Sequence, residues 1–476
     1  MDTTYDVVVL GGGPGGYVAA IRAAQYGMKT AIIERDAVGG TCLNSGCIPT
    51  KAMLHSCEIL HEIREADRMG IEVEAPKVKL DKLYAYKDSM VKKLVGGVGS
   101  LLKGNGVDLY SGEGEFVDAH SISVRPVDGK SDANGEARTV SGKQLIIATG
   151  SRPSIPHIEG LSDAGYWTST TLLEENRKLP KSMIIVGGGV IGTECATILN
   201  DLGVDVTVVE MMDQLLPQMD KDAAETLRKA LKKDGVKIHT SVKLNSVSTD
   251  GKKKSCRLET EKGEESIDAE EIMVAVGRGP VTDIPGVEKL GLEAGRAGFE
   301  VNEKLQTKFP HIYAIGDVNG KWQLAHAASA DGIAAVDHIA GKNNYTNPDI
   351  VPSCIYTRPE IASVGISAQQ AKLRGYATAE GSFPIAANGK SMIMGENRGF
   401  VKIVSNEKNG EILGALIVGP RATDMIAELA AAMSGELTVE ELSATIHPHP
   451  TVSEAVMEAL HDIEGLSAHK PPKKKK

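Results

Sequence analysis

The sequence is poor in cysteine, in aromatic residues and in long apolar runs. Six cysteines in 476 residues are too few for the disulfide scaffold of a small secreted protein. A formal net charge of −10 argues against nucleic acid as a partner, because binding to its phosphates requires a basic surface. No run of apolar residues approaches the length that crosses a membrane, and no basic leader precedes the first apolar segment. We therefore expect a protein of the cytoplasm or of an equivalent reducing compartment.

Glycine, in contrast, is abundant, with 52 residues, while aromatic residues make up only 4% of the chain. This balance suits folds in which the backbone closely approaches a cofactor and neighbouring strands. A chain of 476 residues is also long enough for about three or four domains. The composition therefore favours a multidomain nucleotide-binding protein over a disordered or fibrous chain.

Two segments of the chain repeat one pattern of strand, glycine-rich turn, helix and second strand. The glycines at the motif spacing are Gly11, Gly13 and Gly16 in the first copy, and Gly187, Gly189 and Gly192 in the second. The second strand ends at an acid, Glu34 or Glu210, that follows the first glycine by 23 residues in each copy (34 − 11 and 210 − 187). A single glycine motif is weak evidence, but two copies with equal spacing predict two dinucleotide-binding units.

Each residue of this pattern has a physical role in holding a dinucleotide. The first glycine permits a tight turn, the second lets the backbone reach a pyrophosphate, and the third allows the helix to pack on the strand. Glu34 and Glu210 are placed to accept hydrogen bonds from ribose hydroxyl groups. Because Glu210 repels a 2′-phosphate and is followed by Met211 and Met212 rather than arginine, the second unit favours NAD over NADP.

A cysteine pair, Cys42 and Cys47, follows the first unit in the stretch GGTCLNSGCIPTK. In a regular helix, residues five apart have Cα atoms roughly 8–9 Å from each other. A disulfide needs Cα atoms closer than about 7 Å, so a bridge here requires a bent segment. Three of the four residues between them, Asn44, Ser45 and Gly46, are poor helix formers and supply that bend. The other four cysteines are expected to be structural thiols.

The remainder of the chain divides by pattern. Residues 51–110 are predicted to be helical, residues 111–150 to form short strands, and the polar loop 128–136 to be an exposed hairpin tip. The apolar stretches LIIATGS and IMVAVGR predict buried strands where the chain leaves each nucleotide-binding domain. From about Pro352, strands followed by helices predict a separate α+β domain. The expected fold is thus α/β, with two Rossmann-like domains and a C-terminal α+β domain.

Two dinucleotide sites and a dithiol can pass an electron pair between thiols and a nicotinamide, with a flavin in the first site as the intermediary. Asp317, which follows a short strand in AIGD, is a candidate ligand of the flavin's sugar chain, although a helix cap is the alternative. A thiol relay also needs a base, and HPHPTVSE offers His449 with Glu454. For the neighbouring His447 we favour a structural role. We assign no metal ligands.

The stretches GGGPGGY, GGTCLNSGCIPTK, ATGSRP, GGGVIGTE, VGRGP, AIGDV, LAH and HPHPTVSE occur in this order. Over essentially its whole length the chain resembles the pyridine nucleotide–disulfide oxidoreductases, and in particular their dihydrolipoyl dehydrogenase branch. The resemblance implies FAD in the first unit, NAD in the second, and a homodimer formed by the C-terminal domain. It also implies domains at 1–150 (FAD), 151–275 (NAD), 276–349 (completing the FAD site) and 350–476 (dimerisation, with a basic tail).

The resemblance also implies a role for each residue of the relay. Cys42 would be the thiol that meets the substrate, and Cys47 the thiolate beside the flavin. His449 would be the base for the disulfide of the other subunit, with Glu454 holding its imidazole. Further roles are expected for Lys51, which would lie near the flavin and pair with Glu194, and for cofactor contacts at Thr149, Gly150, Gly277 and Ala325.

We therefore expect a flavoprotein that oxidises protein-bound dihydrolipoyl groups and reduces NAD⁺. Its partner would be a lipoyl-bearing acyltransferase or a glycine-cleavage carrier protein. One alternative is an NAD(P)H-dependent reductase of glutathione or another small disulfide, which would carry basic residues after Glu210. Mercuric-ion and large thioredoxin reductases need an additional redox pair near the C-terminus, but no cysteine follows Cys354. A second alternative is a structural assembly subunit of a multienzyme complex.

Overall fold

The computed structural model describes residues 3–127, 137–174, 178–344 and 346–471. The predicted hairpin tip, 128–136, and the lysine tail after residue 471 lie outside the described residues. The chain forms two compact units, the first from residues 1–156, 168–178 and 277–346, and the second from residues 157–167, 179–276 and 347–476. Neither unit is continuous in sequence, and the division into four domains stays a prediction.

The strands of the described residues are numbered in chain order. Strands β1 to β7 are Thr3–Leu10, Thr30–Glu34, Asp108–Ser111, Glu113–Asp118, Ser121–Arg125, Arg138–Ile147 and Ser151–Pro153. Strands β8 to β14 are Ser182–Val186, Asp205–Val209, Lys237–His239, Lys243–Thr249, Lys254–Thr260, Gly263–Ala269 and Glu271–Val274. Strands β15 to β18 are Arg278–Pro280, Ala294–Gly295, Gly298–Phe299 and Ile312–Ala314. Strands β19 to β23 are Ser353–Ile355, Ile361–Gly365, Thr378–Pro384, Phe400–Asn406 and Ile412–Val418.

The α-helices are numbered in the same way. Helices α1 to α7 are Pro14–Gln25, Gly40–Asn44, Cys47–Arg64, Leu80–Gly104, Leu161–Ala164, Ser169–Leu172 and Val190–Asp201. Helices α8 to α14 are Lys221–Lys233, Ala325–Ile339, Ala368–Leu373, Gly389–Met394, Ala422–Ser434, Val439–Ser443 and Glu454–Ile463. Short 3₁₀ helices occur at Ala66–Met69, Val287–Leu290, Gly316–Asn319 and Ile385–Ala387. Among the described residues, no helix has both the length and the apolar character needed to cross a membrane.

The first unit is built on a seven-stranded sheet with the order β3-β2-β1-β6-β5-β4, in which β18 also pairs with β6. Strands β3, β2, β1, β6 and β18 run parallel, whereas β4 and β5 are antiparallel to each other, and β5 is antiparallel to β6. Strand β6 has ten residues, and β5 and β18 pair with different parts of it. The first half of β6 pairs with β5, and its second half pairs with β18.

Both faces of this sheet are buried, as its parallel strands require. Val7 and Val9 of β1 pack with Ala19 of α1 on one face, while Val8 and Leu10 belong to the apolar cluster on the other face. Since successive side chains of a strand point in opposite directions, the run VVVL fills two cores at once. Helix α1 packs on one face beside α9. The sheet therefore holds the turn between β1 and α1 at the carboxyl end of β1.

The second unit contains a parallel sheet, β10-β9-β8-β14, and a three-stranded antiparallel sheet, β11-β12-β13. It also contains a five-stranded antiparallel sheet, β19-β20-β23-β22-β21, which packs against α12 and α14. Buried side chains such as Phe383, Ile403, Ile417, Leu429 and Leu460 form the core between that sheet and its helices. The predicted fold class, two Rossmann-like units with a C-terminal α+β part, is confirmed.

Candidate functional site

The turn between β1 and α1 shows why two of the three motif glycines, Gly11 and Gly16, are needed for packing. Gly11 has φ +109°, and a Cβ on it would lie 2.3 Å from the carbonyl oxygen of Ala148. A Cβ on Gly16 would lie 1.9 Å from the carbonyl oxygen of Gly11, so only glycine lets α1 approach β1. Gly13 differs, because its Cβ would meet no heavy atom closer than 4.0 Å. The backbone at the N-terminus of α1 is thus accessible to a ligand.

The turn between β8 and α7 repeats this geometry. Gly187 has φ +107°, and its Cβ would lie 2.4 Å from the carbonyl oxygen of Ala275. A Cβ on Gly192 would lie 1.9 Å from the carbonyl oxygen of Gly187, whereas one on Gly189 would meet no heavy atom within 4 Å. The second unit therefore also has an accessible backbone at a helix N-terminus, where a phosphate is stabilised.

The two acids have equivalent hydrogen bonds. Glu34 accepts the N–H of Gly12 and the N–H of Asp36, both at 2.6 Å. Glu210 accepts the N–H of Gly188 at 2.6 Å and the N–H of Met212 at 2.8 Å. Burial raises the pKa of Glu34, although these backbone hydrogen bonds oppose the rise. In each unit the acid is therefore held next to its glycine-rich turn.

The segment after β6 meets the segment after β14 in the first unit. Thr149 donates its hydroxyl to the carbonyl oxygen of Val281 at 2.8 Å, and the N–H of Val281 donates to Gly150 at 2.9 Å. Gly277 accepts the N–H of Ser154 at 3.0 Å. Gly150 has φ +71° and Gly277 φ +118°, and a Cβ on either residue would meet no heavy atom within 4 Å.

Asp317 belongs to a polar cluster with Ser151 and Arg278. Ser151 donates its hydroxyl to Asp317 at 2.5 Å, and the guanidinium of Arg278 donates to both the hydroxyl and the carbonyl oxygen of Ser151. Burial raises the pKa of Asp317, and burial lowers the pKa of Arg278. Asp317 lies in the first turn of the short 3₁₀ helix that follows β18, and its role as a ligand of the flavin's sugar chain stays a prediction.

Sequence reasoning missed Arg278 and Ser151. Both lie inside the motifs VGRGP and ATGSRP. In these motifs the sequence predicts cofactor contacts only for Thr149, Gly150 and Gly277. Arg278 also lies 3.4 Å from the hydroxyl of Thr41, the residue before Cys42, and its charge interacts with Cys47. A single polar cluster thus connects Asp317 with the cysteine pair.

Ala325 is the first residue of α9, a helix of 15 residues. Helix α9 lies so close to α1 that a Cβ on Gly332 would be 2.5 Å from the carbonyl oxygen of Gly15. Within α9, Asp331 accepts the N–H of Gly316 and the side-chain amide of Asn319, each at 3.0 Å. These bonds fix the turn that carries Asp317.

Cys42 and Cys47 lie on two separate helices. Cys42 belongs to α2, which ends at Asn44, and Cys47 is the first residue of α3. The backbone between them leaves the helical region, with φ −144° at Ser45 and φ −140° at Gly46. The predicted bend between the two cysteines is therefore confirmed. Cys42 and Cys47 are not joined by a disulfide in the structure.

The two thiols have different electrostatic surroundings. Cys42 is hydrogen-bonded to Cys47, and this bond together with burial raises the pKa of Cys42 strongly. The charge of Lys51, one helical turn after Cys47, opposes that rise. Cys47 lies at the N-terminus of an 18-residue helix, where the helix dipole favours an anion. The arrangement thus favours the thiolate at Cys47 and the protonated thiol at Cys42.

His449 and Glu454 form a hydrogen-bonded pair at the start of α14. The Nδ1 atom of His449 lies 2.8 Å from Oε1 of Glu454, and the N–H of Thr451 donates to the other carboxylate oxygen at 2.9 Å. Burial raises the pKa of Glu454, but the hydrogen bonds from Thr451 and His449 lower it overall. The imidazole itself remains 80% exposed.

Helix α14 carries three acids, Glu454, Glu458 and Asp462, spaced four residues apart on one face. Glu458 lies 2.8 Å from Nδ1 of His469, and Asp462 accepts a bond from Lys470 at 2.9 Å. The C-terminal residues are thereby held along the same helix that fixes the His449 pair.

His447 has a different partner. Its Nε2 atom lies 2.8 Å from Glu428 of α12, its Nδ1 atom lies 3.1 Å from the carbonyl oxygen of Thr445, and its side chain is only 4% exposed. Both ring nitrogens are occupied by protein groups. The structural role predicted for His447 agrees with this geometry.

Glu194 lies on α7 and is buried, with one carboxylate oxygen accepting the N–H of Tyr356 at 3.0 Å. Lys51 belongs to the other compact unit, so its pairing with Glu194 stays a prediction. The approach of His449 to the disulfide of a second subunit also stays a prediction.

Comparison with protein families gives two matches. Residues 5–332 match the family described as pyridine nucleotide-disulphide oxidoreductase, and residues 351–460 match the dimerisation domain of the same family. Together the two matches cover both glycine-rich turns, the cysteine pair and the loop that carries His449.

Curated relatives match over the whole chain. Proteins named dihydrolipoyl dehydrogenase from Bacillus subtilis, Thermus scotoductus and Haloferax volcanii are 43%, 41% and 42% identical to it. Each alignment covers 98% of this chain and at least 98% of the relative.

Solved structures share the fold. The LpdA protein of Mycobacterium tuberculosis superposes with a TM-score of 0.87 at 28% identity, covering 97% of this chain and 99% of that one. The flavoprotein disulfide reductase RclA of Escherichia coli, solved as a Cu(II) complex, superposes with a TM-score of 0.83 at 26% identity, covering 96% and 99% of the two chains.

Proposed function

Because this chain belongs to the pyridine nucleotide-disulphide oxidoreductases, we propose that it is a dihydrolipoyl dehydrogenase, which oxidises dihydrolipoyl groups and reduces NAD⁺. Its full-length relatives carry that name at about 40% identity. The observation that carries the proposal is the cysteine pair on a broken helix, in the same compact unit as the first dinucleotide turn.

The chain's own residues fit both dinucleotides. In the first unit, FAD would lie against the backbone of Gly13 at the N-terminus of α1, with Glu34 on its ribose and Asp317 on its sugar chain. In the second unit, NAD would lie against Gly189, with Glu210 on its ribose. The fit rests on the accessible backbone at both helix N-termini, since a Cβ on Gly189 would meet no heavy atom within 4 Å and one on Gly13 none closer than 4.0 Å. A bound flavin supplies the two-electron transfer between the dithiol and the nicotinamide.

Thiol exchange would begin at Cys42. A substrate thiolate attacks the sulfur of Cys42, the Cys42–Cys47 bond breaks, and Cys47 leaves as a thiolate. The second substrate thiol then displaces Cys42 from the mixed disulfide, so the substrate becomes a disulfide and the cysteine pair a dithiol. The helix dipole and the charge of Arg278 favour the thiolate at Cys47.

His449 would accept the proton from the attacking substrate thiol. Glu454 accepts hydrogen bonds only, so the Nδ1 atom of His449 donates to it and Nε2 is left to take the proton. Because His449 belongs to the same part of the chain as the dimerisation-domain match, we propose that it serves the disulfide of a second subunit in a homodimer.

The test is the formation of NADH from free dihydrolipoamide by flavin-loaded protein, with NADP⁺ assayed in parallel. We expect turnover with NAD⁺ and little with NADP⁺, because Glu210 would repel the 2′-phosphate. A Cys47→Ser variant should retain flavin and lose turnover. Full activity of that variant, or no turnover by the parent protein, would overturn the proposal.

The second candidate is a reductase of another small disulfide, as the superposition on RclA allows. The residues after Glu210 argue against an NADPH-dependent enzyme of this kind, because exposed Met211 and Met212 stand there instead of arginine. Faster NADH-dependent reduction of another disulfide than of lipoamide would favour this candidate. Together with the dehydrogenase activity, we propose that the partner is a lipoyl-bearing carrier protein and that the location is the cytoplasm.

A further inference from the structure

The loop that carries His449 joins α13 to α14 and borders a cavity on one side. Pro450, Thr451 and Val452 of this loop line a cavity of about 630 Å³. Across the cavity lie side chains of α11 and α12, including Lys390 and Glu428. Val452 is buried in the apolar core, whereas Pro450 is exposed and Thr451 is only half-buried, so hydrogen bonds contribute to holding the position of Thr451.

One such bond comes from a buried asparagine distant in sequence. The side-chain amide of Asn388 donates to the carbonyl oxygen of Thr451 at 3.0 Å, although 63 residues separate them. The carbonyl oxygen of the Asn388 side chain accepts both the N–H and the hydroxyl of Ser391, each at 2.8 Å. Asn388 is only 4% exposed. Its side chain therefore caps α11 and anchors the loop at the same time.

The surroundings of Asn388 leave one orientation for its amide. Reversing the group would place its NH₂ against the N–H of Ser391, donor against donor. It would also place its oxygen against the carbonyl oxygen of Thr451, acceptor against acceptor. The hydrogen bond to Thr451 is therefore the only arrangement that satisfies both neighbours.

From Thr451 the contacts continue to the base. The N–H of Thr451 donates to Oε2 of Glu454 at 2.9 Å, and Oε1 of Glu454 lies 2.8 Å from Nδ1 of His449. Asn388 thus holds the carbonyl group of Thr451, while the N–H of Thr451 holds the carboxylate of Glu454. A movement of Thr451 would be transmitted to the imidazole through Glu454.

We propose that Asn388 is a positioning residue for His449, acting through Thr451 and Glu454. The inference rests on the proposed function, because it takes His449 as the base. The proposal adds Asn388, from the turn before α11, to the histidine–glutamate pair, which comes from the loop before α14 and from the first residue of α14.

Substitution of Asn388 by aspartate separates its two roles. Aspartate retains an oxygen acceptor for the N–H and hydroxyl of Ser391, so the cap of α11 survives. It has no donor for Thr451 and turns an oxygen toward that carbonyl group. Asn388→Ser is the uncharged second variant, because serine also caps helices but is too short to replace the bond to Thr451.

We expect kcat for dihydrolipoamide oxidation to fall about 10- to 100-fold in both variants, since a base displaced by about 1 Å loses activity on this scale. Flavin content and the reduction of ferricyanide by NADH, which bypasses His449, should remain at parental values. The matched control is Ser391→Ala, which removes one bond to Asn388 and leaves the bond to Thr451. Its kcat should stay within about twofold of the parent.

A second measurement does not depend on turnover. The rate at which diethyl pyrocarbonate modifies His449, followed by peptide mass spectrometry across pH, reports the environment of the imidazole. We expect the pH profile of this rate to change in Asn388→Asp and Asn388→Ser, and to match the parent in Ser391→Ala.

Unchanged kcat and unchanged His449 reactivity in folded Asn388→Asp and Asn388→Ser would overturn the inference. An equal loss of ferricyanide reduction would also overturn it, because a general structural defect would then explain the result. If the parent protein failed to oxidise dihydrolipoamide, the proposed function would fall, while the reactivity of His449 would still decide whether Asn388 positions it.

Discussion

Glu454 holds the imidazole of His449 through a 2.8 Å contact between Oε1 and Nδ1, while its second oxygen is occupied by the N–H of Thr451. Both oxygens of the Glu454 carboxylate therefore have hydrogen-bond partners, which restrict its rotation. The carboxylate in turn orients the imidazole of His449. His447, two residues earlier, makes a contact of the same length with Glu428, but its side chain is buried. Two similar histidine–carboxylate pairs thus differ in whether the imidazole can reach a substrate.

We predict that Glu454→Gln lowers kcat/KM for dihydrolipoamide by about 10²-fold, because the base loses the acceptor that orients it. The matched change Glu428→Gln, at the buried His447 pair, should leave kcat/KM close to the parental value. Steady-state kinetics at saturating NAD⁺ measure both. Equal losses in the two variants would show that the His449 pair has no special role.

The second prediction compares two glycines of the β8–α7 turn. Gly189→Ala places a methyl group in open space where the phosphates of NAD would lie, so KM for NAD⁺ should rise about tenfold or more, with little change in Tm. Gly192→Ala forces a Cβ to within 1.9 Å of the carbonyl oxygen of Gly187, so this variant should lose stability instead. Kinetics and thermal unfolding separate the two effects. An unchanged KM in Gly189→Ala would argue against this NAD site.

The third prediction concerns flavin retention. Asp317 is half-buried beside Ser151 and is expected to accept hydrogen bonds from the sugar chain of FAD. Loss of a hydrogen bond to a charged group costs about 1.5–3 kcal/mol, so Asp317→Ala should weaken FAD binding about 10- to 100-fold. Flavin released on ultrafiltration measures the change. Asp283→Ala, which removes an exposed partner of Arg152, is the control and should retain flavin.

The fourth prediction concerns the C-terminal segment on α14. The carboxylate of Glu458 raises the pKa of His469, and although burial raises the pKa of Glu458, hydrogen bonds from Ser467 and His469 lower it overall. The contribution of His469 is therefore full below its unfolded pKa of about 6.5 and is lost as the pH rises through the raised value. The contribution of Glu458 is present above its unfolded pKa of about 4.3 and is lost as the pH falls.

Hydrogen exchange of the C-terminal peptide, corrected for the intrinsic rate, should therefore show more protection at about pH 6 than at about pH 8.5. His469→Gln should remove this difference. Lys470→Gln, which breaks the bond to Asp462, should lower protection equally at both pH values, because lysine does not titrate in this range. The same pH dependence in His469→Gln as in the parent would contradict the assignment.

Several features of the candidate site could be predicted from the sequence because their physical causes are local. The turn, the helix N-terminus and the acid of each dinucleotide unit lie within 24 consecutive residues, and their spacing is visible in the printed chain. The bend between Cys42 and Cys47 follows from three poor helix formers placed between them. The pairing of His449 with Glu454 spans only five residues. The resemblance to the family then supplied the expected chemistry of these motifs.

Other features were decided by tertiary structure alone. Arg278 reaches Ser151 across 127 residues of sequence, because β7 and β15 pair in one particular register. Asn388 meets Thr451 only where the turn before α11 passes the loop before α14. Neither contact leaves a periodic or local signal, since each depends on how distant segments are brought together by sheet pairing and core packing. The sequence by itself determined the two dinucleotide units, the dithiol and the histidine–glutamate pair, whereas the folded chain decided which distant side chains hold them in position.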